Sequence, residues 1–380
     1  MQLRSLRALR YRSLRDETIP LSDLNLFIGT NASGKSTILD ALRFLHEGVQ
    51  DRDFKSAVFS RGGIIHLAWK GEDAHKIDLH LEFLNDSNTY EWSIQLARQD
   101  FEFEIHRETL FEIRPGEPRR QLLQASSGQG WWWSGEKNEE VRLDQPTTAC
   151  ALANAAPNAA FPGRAIAEFV GRWGFFDPSP FLLRRGYSGL DPSAFDPYGR
   201  NLAERLLTIR QSSREAFTQI VSATQSVLGL PTNIELREAR DSEERVYFVQ
   251  HEPGLKFSVH QIGASSGTLR MLALMTTLFG EADRNVIAIE EPENYVHPTA
   301  LASFAQYLIK ARDRVQILVT THSPLLLDFL DDPGAVCIVR HGGIEGTRVT
   351  RESNSAAVRQ ALEASGFGLG EFYETKGFGS

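Results

Sequence analysis

The segment Gly29-Thr30-Asn31-Ala32-Ser33-Gly34-Lys35-Ser36 constrains this chain more than any other stretch, because it meets every fixed position of G-x-x-x-x-G-K-[ST]. An apolar run, Leu24-Asn25-Leu26-Phe27-Ile28, leads in. A helix is predicted to lead out, with Ile38, Leu39, Leu42 and Leu45 at helical spacing and Gly48 as its stop. Strand, glycine-bearing loop and helix in that order make a cradle for a chain of phosphates. Glycines let backbone N–H groups turn inward, and the helix N-terminus adds its dipole. Lys35 brings a positive charge to the β- and γ-phosphates, and the Ser36 hydroxyl is the natural Mg²⁺ ligand. The expected cofactors are therefore ATP and Mg²⁺, with residues Gly29 to Ser36 and the adjoining Thr37 as the nucleotide contacts.

At 380 residues, 41% hydrophobic and 24% charged, the chain has ample material for a core. A net charge of −8 argues against a uniformly basic coat for nucleic acid, although it leaves room for a local basic groove. Cys150 and Cys337 stand far apart in no metal-ligand spacing, which suggests a reducing compartment. No apolar run approaches the roughly 20 residues needed to span a bilayer. The Arg/Leu alternation of the first residues lacks the apolar stretch of a secretion signal. A cytoplasmic protein with no membrane partner is expected.

The first residues read as strand, turn and strand. HKIDLHLEFLN, YEWSIQLAR and FEFEIHRE alternate like half-buried strands of an antiparallel sheet, with Asn-Asp-Ser and Arg-Gln-Asp as breaks. From about Arg114 to Pro162 loops are expected, with one short helix. The triplet Trp131-Trp132-Trp133 offers rings for base stacking, yet rings buried to pin a loop are the commoner use. RAIAEFVGRW reads as a helix, and NLAERLLTIRQSSREAFTQIVSATQSVLG as one long helix ending at Gly229-Leu230-Pro231. Strands resume in NIELREAR, RVYFVQH and LKFSVHQI. The helix TLRMLALMTTLFGE, strand NVIAIEEP, helix PTALASFAQYLIKARD and strand VQILVTTH then alternate as in a parallel, helix-covered sheet.

NVIAIEEPEN ends an apolar strand in two carboxylates, which are costly there unless something uses them. Beside a phosphate loop, Glu290 can hold Mg²⁺ and Glu291 can orient or deprotonate the attacking water. VQILVTTHSP ends in His322, placed to donate to a γ-phosphate at a strand's carboxyl end. His297 has no such placement and reads as structural or interfacial. Gly263-Ala264-Ser265-Ser266-Gly267 also satisfies G-x-S-x-G, and Ser265, Glu290 and His322 follow the triad order of α/β-hydrolases. Against a serine hydrolase, LKFSVHQI alternates where an elbow needs a buried central strand, and the phosphate loop would go unexplained.

Together these segments resemble ATP-binding-cassette ATPases of the RecF, SMC and OLD type, especially stand-alone AAA-family ATPases of bacterial defence operons. FIGTNASGKSTILDALRFL looks like the Walker A segment, SRGGIIHLAWKG like the strand region after it, and SSGTLRMLAL like the signature. IAIEEPENYVHP resembles Walker B with its catalytic glutamate and D-loop, and VTTHSPLLLDFL the switch-histidine segment. The resemblance implies an α/β P-loop NTPase of the cassette type: a mixed sheet with helices, an antiparallel β subdomain and an inserted helical arm. The expected divisions are 1–120 and 233–350 for the two parts of the ATPase core, 121–232 for a loop and helical arm, and 351–380 for a C-terminal helix and tail. It also implies a head-to-tail dimer or higher oligomer closed around ATP, with Ser265 and Gly267 of one copy at the γ-phosphate held by Lys35 of the other. Glu290 takes the metal position, Glu291 and His322 the catalytic ones. Ser266 replaces the usual signature aspartate, Glu290 stands where transporters carry Asp, and Gln50 is a poor match for a Mg²⁺-sensing glutamine. OLD nucleases append a TOPRIM domain, but no Glu plus Asp-x-Asp constellation follows His322. The expectation is an ATP-driven dimerisation switch for a separately encoded effector, such as a nuclease, in nucleic-acid surveillance or phage defence. The alternative is a RecF-like clamp with DNA as partner, using Arg4, Arg7, Arg10, Arg12 and Arg15. A transporter's ATPase subunit is the remote third.

Overall fold

The computed structural model describes residues 1–71, 76–99, 102–185, 191–229, 233–238, 246–330, 332–351 and 355–376. The chain divides into two units, Met1–Trp173 with Cys337–Arg351, and Gly174–Val336 with Glu352–Ser380.

In the first unit, β1 (Gln2–Tyr11) and β2 (Leu14–Pro20) pair antiparallel across a tight turn in which Arg12 takes φ 48°. β3 (Leu24–Ile28) is buried at every position. α1 (Lys35–Gln50) buries Ile38, Leu39, Leu42 and Leu45 as their spacing predicts, but it does not stop at Gly48. A Cβ there would overlap the Phe54 ring, so this glycine admits a close contact and the helix runs on past it. After α2 (Lys55–Phe59), the segment 60–71 expected as a strand region after the phosphate loop is instead a turn and a short helix, α3 (Ile64–Leu67). Gly62 at φ 83° and Gly63 at φ 97° turn the chain between them, and only Ala68 bridges to Tyr11.

β4 (Lys76–Asn85), β5 (Asn88–Gln99) and β6 (Glu102–Ile113) form the expected antiparallel sheet. Asp100, part of the predicted Arg-Gln-Asp break, lies outside the described residues. The loops expected after Arg114 are largely strands: β7 (Arg120–Ser126), β8 (Gln129–Ser134) and β9 (Glu139–Asp144). A register shift in the β6–β7 pairing leaves both Leu122 and Leu123 buried, which breaks the alternation a strand shows in sequence. Ser127 at φ 46° and Gly128 at φ 84° make the tight hairpin that follows. The eight-stranded sheet runs β2-β1-β4-β5-β6-β7-β8-β9. The tryptophan triplet lies on β8. Trp132 is buried edge-on against Phe161, and Arg120 covers the Trp133 ring, so packing is the use the structure gives these two rings. α4 (Ala151–Ala155) and α5 (Arg164–Gly171) follow.

The division at Gly174 falls within β10 (Trp173–Phe176), and α6 (Pro180–Leu183) follows in the second unit. The single long helix predicted next is two, α7 (Leu202–Ser212) and α8 (Arg214–Leu228). Ser213 is extended at φ −149°, and its side chain caps α8 by accepting from the Ala216 N–H. Gly229 closes α8 in the left-handed region at φ 62°, while Leu230 and Pro231 lie outside the described residues. β11 (Asn233–Glu238), β12 (Val246–His251) and β13 (Val259–His260) form a small antiparallel sheet, so LKFSVHQI contributes two strand residues. α9 (Ser266–Gly280) leads to β14 (Val286–Glu290), which pairs in parallel with β15 (Gln316–Thr321) after the crossover helix α10 (Pro298–Ala311). α11 (Pro324–Leu330) follows. Back in the first unit, which resumes at Cys337, β16 (Val336–His341) and β17 (Thr347–Arg351) pair antiparallel, with β3 beside β16. α12 (Ser355–Ser365) precedes α13 (Leu369–Lys376), a second helix where a tail was expected. No helix among the described residues is long and apolar enough to cross a membrane.

Candidate nucleotide-binding site

In the first unit the loop between β3 and α1 is shaped by backbone conformations that ordinary residues avoid. Ala32 lies at φ 61° and Gly34 at φ 108°. A Cβ on Gly34 would collide with the Thr347 hydroxyl, and one on Gly29 with the Val339 carbonyl, so both glycines are steric necessities. Lys35 is buried and folds back, its Nζ donating to the carbonyls of Gly29 at 2.8 Å and Thr30 at 3.0 Å. Gly34 is the N-cap of α1 and supplies no side-chain acceptor for the first helical amides. Thr30, Asn31, Ala32 and Ser36 are exposed, Thr37 is half-buried, and Ser33 is buried with its hydroxyl unpaired. A charge turned inward, uncapped helical amides and a glycine-lined curve fit a phosphate chain. The exposed Ser36 hydroxyl fits Mg²⁺ held jointly with phosphate oxygens.

Residues from elsewhere in the same unit hold this loop. Thr347 Oγ1 lies 2.9 Å from the Ser33 carbonyl and 2.8 Å from Ser13 Oγ, which in turn donates to Thr37 at 3.1 Å. Below them Tyr11 donates to Asp40 at 2.6 Å, and Arg12 and Arg61 pair with the same carboxylate. Ser13 and Thr347 were not legible as site residues, since single hydroxyls far apart in the chain carry no motif.

In the second unit the carboxyl ends of β14 and β15 bring Glu290, Glu291 and His322 together. Glu290 pairs in register with Thr320, and the Glu291 N–H donates to the Thr320 carbonyl at 2.9 Å. Glu291 takes φ 43°, turning the chain sharply out of the strand. Its Oε2 accepts from Asn294 Nδ2 at 2.8 Å, and its Oε1 lies 3.8 Å from His322 Nδ1. Glu293 Oε1 accepts from the His322 N–H at 2.8 Å and the Thr321 hydroxyl at 2.7 Å, and sits 3.1 Å from His322 Nδ1. Glu293 and Asn294 stand within the segment resembling a D-loop, but sequence alone gave them no partner.

Ser265 is the N-cap of α9, its hydroxyl accepting from the Thr268 N–H at 3.1 Å. It follows a 3₁₀ turn (Gln261–Gly263), whereas a hydrolase elbow follows a buried central strand. Ser266, which stands where the signature usually has aspartate, accepts from Arg184 Nη2 at 3.0 Å. A Cβ on Gly267 would lie 3.0 Å from the Tyr295 carbonyl. One turn further, Arg270 is 2% exposed and donates to the carbonyls of Glu290 and Glu291, tying α9 to the acidic pair.

Other sequence candidates have local duties. Gln50 donates to the Gly171 carbonyl at the far end of α1, a packing role. His297 caps α10 by accepting from the Thr299 N–H, in line with a structural histidine. Four arginines of the N-terminal cluster are ion-paired: Arg7 with Asp16, Arg10 with Asp78, Arg12 with Asp40 and Arg15 with Glu345.

Comparison with known proteins accords with this geometry. The family described as “AAA domain, putative AbiEii toxin, Type IV TA system” matches residues 24–328. No curated protein matches the sequence. Among solved structures, the SmcHead bound to the C-winged helix domain of ScpA is similar, with a TM-score of 0.56 and 13% identity over 94% of this chain and 100% of that one. The Smc head domain with an extended coiled coil, bound to the C-terminal domain of ScpA derived from Pyrococcus furiosus, gives 0.51 and 12% over 96% and 99%. At such identities the likeness is one of fold. A family match over most of the chain and an SMC-head fold lead to one assignment: this chain belongs to the AAA-domain family named for AbiEii and is built on the fold of an SMC-type ATPase head.

Proposed function

We propose that this chain is a Mg²⁺-dependent ATPase that closes head to tail with a second copy around ATP, and that the closed state regulates a separately encoded effector in nucleic-acid surveillance such as phage defence. The observation that carries the reading is the loop at Gly29–Ser36, with Lys35 turned onto its own carbonyls ahead of a helix whose N-cap offers no acceptor. A bound triphosphate would replace those carbonyls at the ammonium and meet the first amides of α1. Mg²⁺, held by Ser36 and Glu290, would neutralise charge on the β- and γ-oxygens. Glu291 orients or deprotonates the attacking water, and His322 meets the γ-phosphate. Ser265 and Gly267 serve the phosphate bound by the second copy.

Exposed apolar side chains around the start of α9 support self-association: Phe181 at 64%, Ile262 at 57% and Tyr295 at 67% exposure. The toxin–antitoxin system in the family's description, and the ScpA domains bound by the SMC heads, support a protein partner. The DNA-clamp reading has less behind it, because phosphates would have to displace Asp16, Asp78, Asp40 and Glu345 from the arginines. The test is light scattering of the Glu291→Gln protein with and without Mg²⁺-ATP, beside Lys35→Ala. An ATP-induced mass increase in the first and none in the second is expected. Bound ATP without a change in mass would end the dimer reading, and DNA cleavage by the purified chain alone would end the separate-effector reading.

A further inference from the structure

The ring of His322 is held by a residue to which neither the family match nor the sequence assigns a duty. Glu293 Oε1 accepts from two donors at one strand end, the Thr321 hydroxyl at 2.7 Å and the His322 N–H at 2.8 Å, and the same oxygen lies 3.1 Å from Nδ1 of the His322 ring. Glu291 Oε1, at 3.8 Å from the same nitrogen, is too far for a hydrogen bond. The Glu293 side chain is 8% exposed while that of His322 is 45% exposed, so the anchor is buried and the ring is accessible. The backbone accounts for this approach. Glu291 at φ 43° turns the chain out of β14, and Pro292 stiffens the step into Glu293.

We propose that Glu293 is the positioning residue of His322, holding the ring proton on Nδ1 and leaving Nε2 as the atom that meets the nucleotide. An oxygen already accepting two donors can only accept a third, which fixes the tautomer. A carboxylate that merely satisfied the strand end would need the Thr321 and His322 N–H contacts alone. The third contact gives Glu293 a second duty. This inference rests on the reading of His322 as a nucleotide contact.

The experiment combines ¹⁵N NMR of ring-labelled histidine with steady-state ATP turnover, on wild type, Glu293→Ala, Glu293→Gln and His322→Ala. Wild type should show the Nδ1–H tautomer for His322. Glu293→Ala should lose that signature and lower kcat about 10- to 100-fold, the size of one hydrogen bond to a charged group, with ATP affinity unchanged. Glu293→Gln keeps an acceptor and should keep the tautomer and most of kcat. It also guards against a folding defect in the alanine variant. An unchanged tautomer in Glu293→Ala, or a normal kcat despite a lost one, overturns the proposal. A glutamine variant as slow as alanine with the tautomer intact overturns it as well. A slow His322→Ala beside a fast Glu293→Ala places the failure on Glu293. A fast His322→Ala places it on the nucleotide reading of His322.

Discussion

The Arg270 guanidinium donates to the carbonyl oxygens of both Glu290 and Glu291, at 2.8 Å each. The helix that Ser265 caps therefore holds the backbone of the acidic pair. Arg270→Met would keep the buried volume yet leave those carbonyls unpaired, at about 1–3 kcal/mol apiece. The expected outcome is lower stability in denaturant and a kcat loss larger than any loss in ATP affinity. Arg270→Lys should recover only part, since one ammonium cannot reproduce the planar fork. Equal losses in kcat and affinity would mean that the arginine does not act through the Glu290–Glu291 backbone.

Gly34→Ala tests the phosphate loop without touching a charge. At φ 108° an alanine is strained, and its Cβ would meet the Thr347 hydroxyl, which also braces the Ser33 carbonyl. A strain of about 1–3 kcal/mol is expected to fall on the loop, weakening ATP binding about tenfold or more and lowering the melting temperature by only a few degrees. Isothermal titration beside thermal unfolding checks this. Normal ATP affinity would mean that the loop's conformation is not what binds phosphate.

A buried carboxylate sets a pH dependence of stability. Burial pushes the Glu108 carboxyl above its ordinary value of 4.5, although the Leu152 and Ala151 N–H groups and the Trp92 ring donate to it and pull the other way. An acid with a raised folded pKa binds its proton more tightly in the native chain. Its contribution is full below the ordinary value and is lost as pH rises through the folded one. Glu108→Gln removes that titration, so the wild type's stability relative to the variant should decline as pH rises from the ordinary carboxyl value of 4.5 through the raised folded one. Parallel unfolding curves across that range would contradict it.

The phosphate loop, the acidic pair and His322 were legible because each needs a specific residue type where an apolar strand ends. Their supports were not. Ser13, Thr347 and Arg270 act through single hydrogen bonds to residues distant in the chain, and nothing in their local sequence marks them. β7 escaped because a bulge puts Leu122 and Leu123 in the core together, which erases the period of two. Gly48 misled for a related reason: its missing Cβ makes room for Phe54, a tertiary contact that local helix-ending rules do not register.

Ser265 offers a test that separates fold from function at the signature. Its hydroxyl caps α9, so Ser265→Ala should cost about 1 kcal/mol of stability, whatever the protein does. Aspartate caps a helix as well as serine, and its charge suits a helix N-terminus. Ser265→Asp should therefore fold and melt like wild type and still bind ATP through Lys35. In the proposed closed dimer, however, the new carboxylate would face the γ-phosphate bound by the second copy, and two anions at that distance repel strongly in a water-poor interface. Placed in the Glu291→Gln background, Ser265→Asp should abolish the ATP-induced mass increase while leaving ATP binding intact. Persistence of that increase would mean that α9 does not start at a partner's phosphate, and the head-to-tail arrangement would have to be given up even if ATP hydrolysis were established.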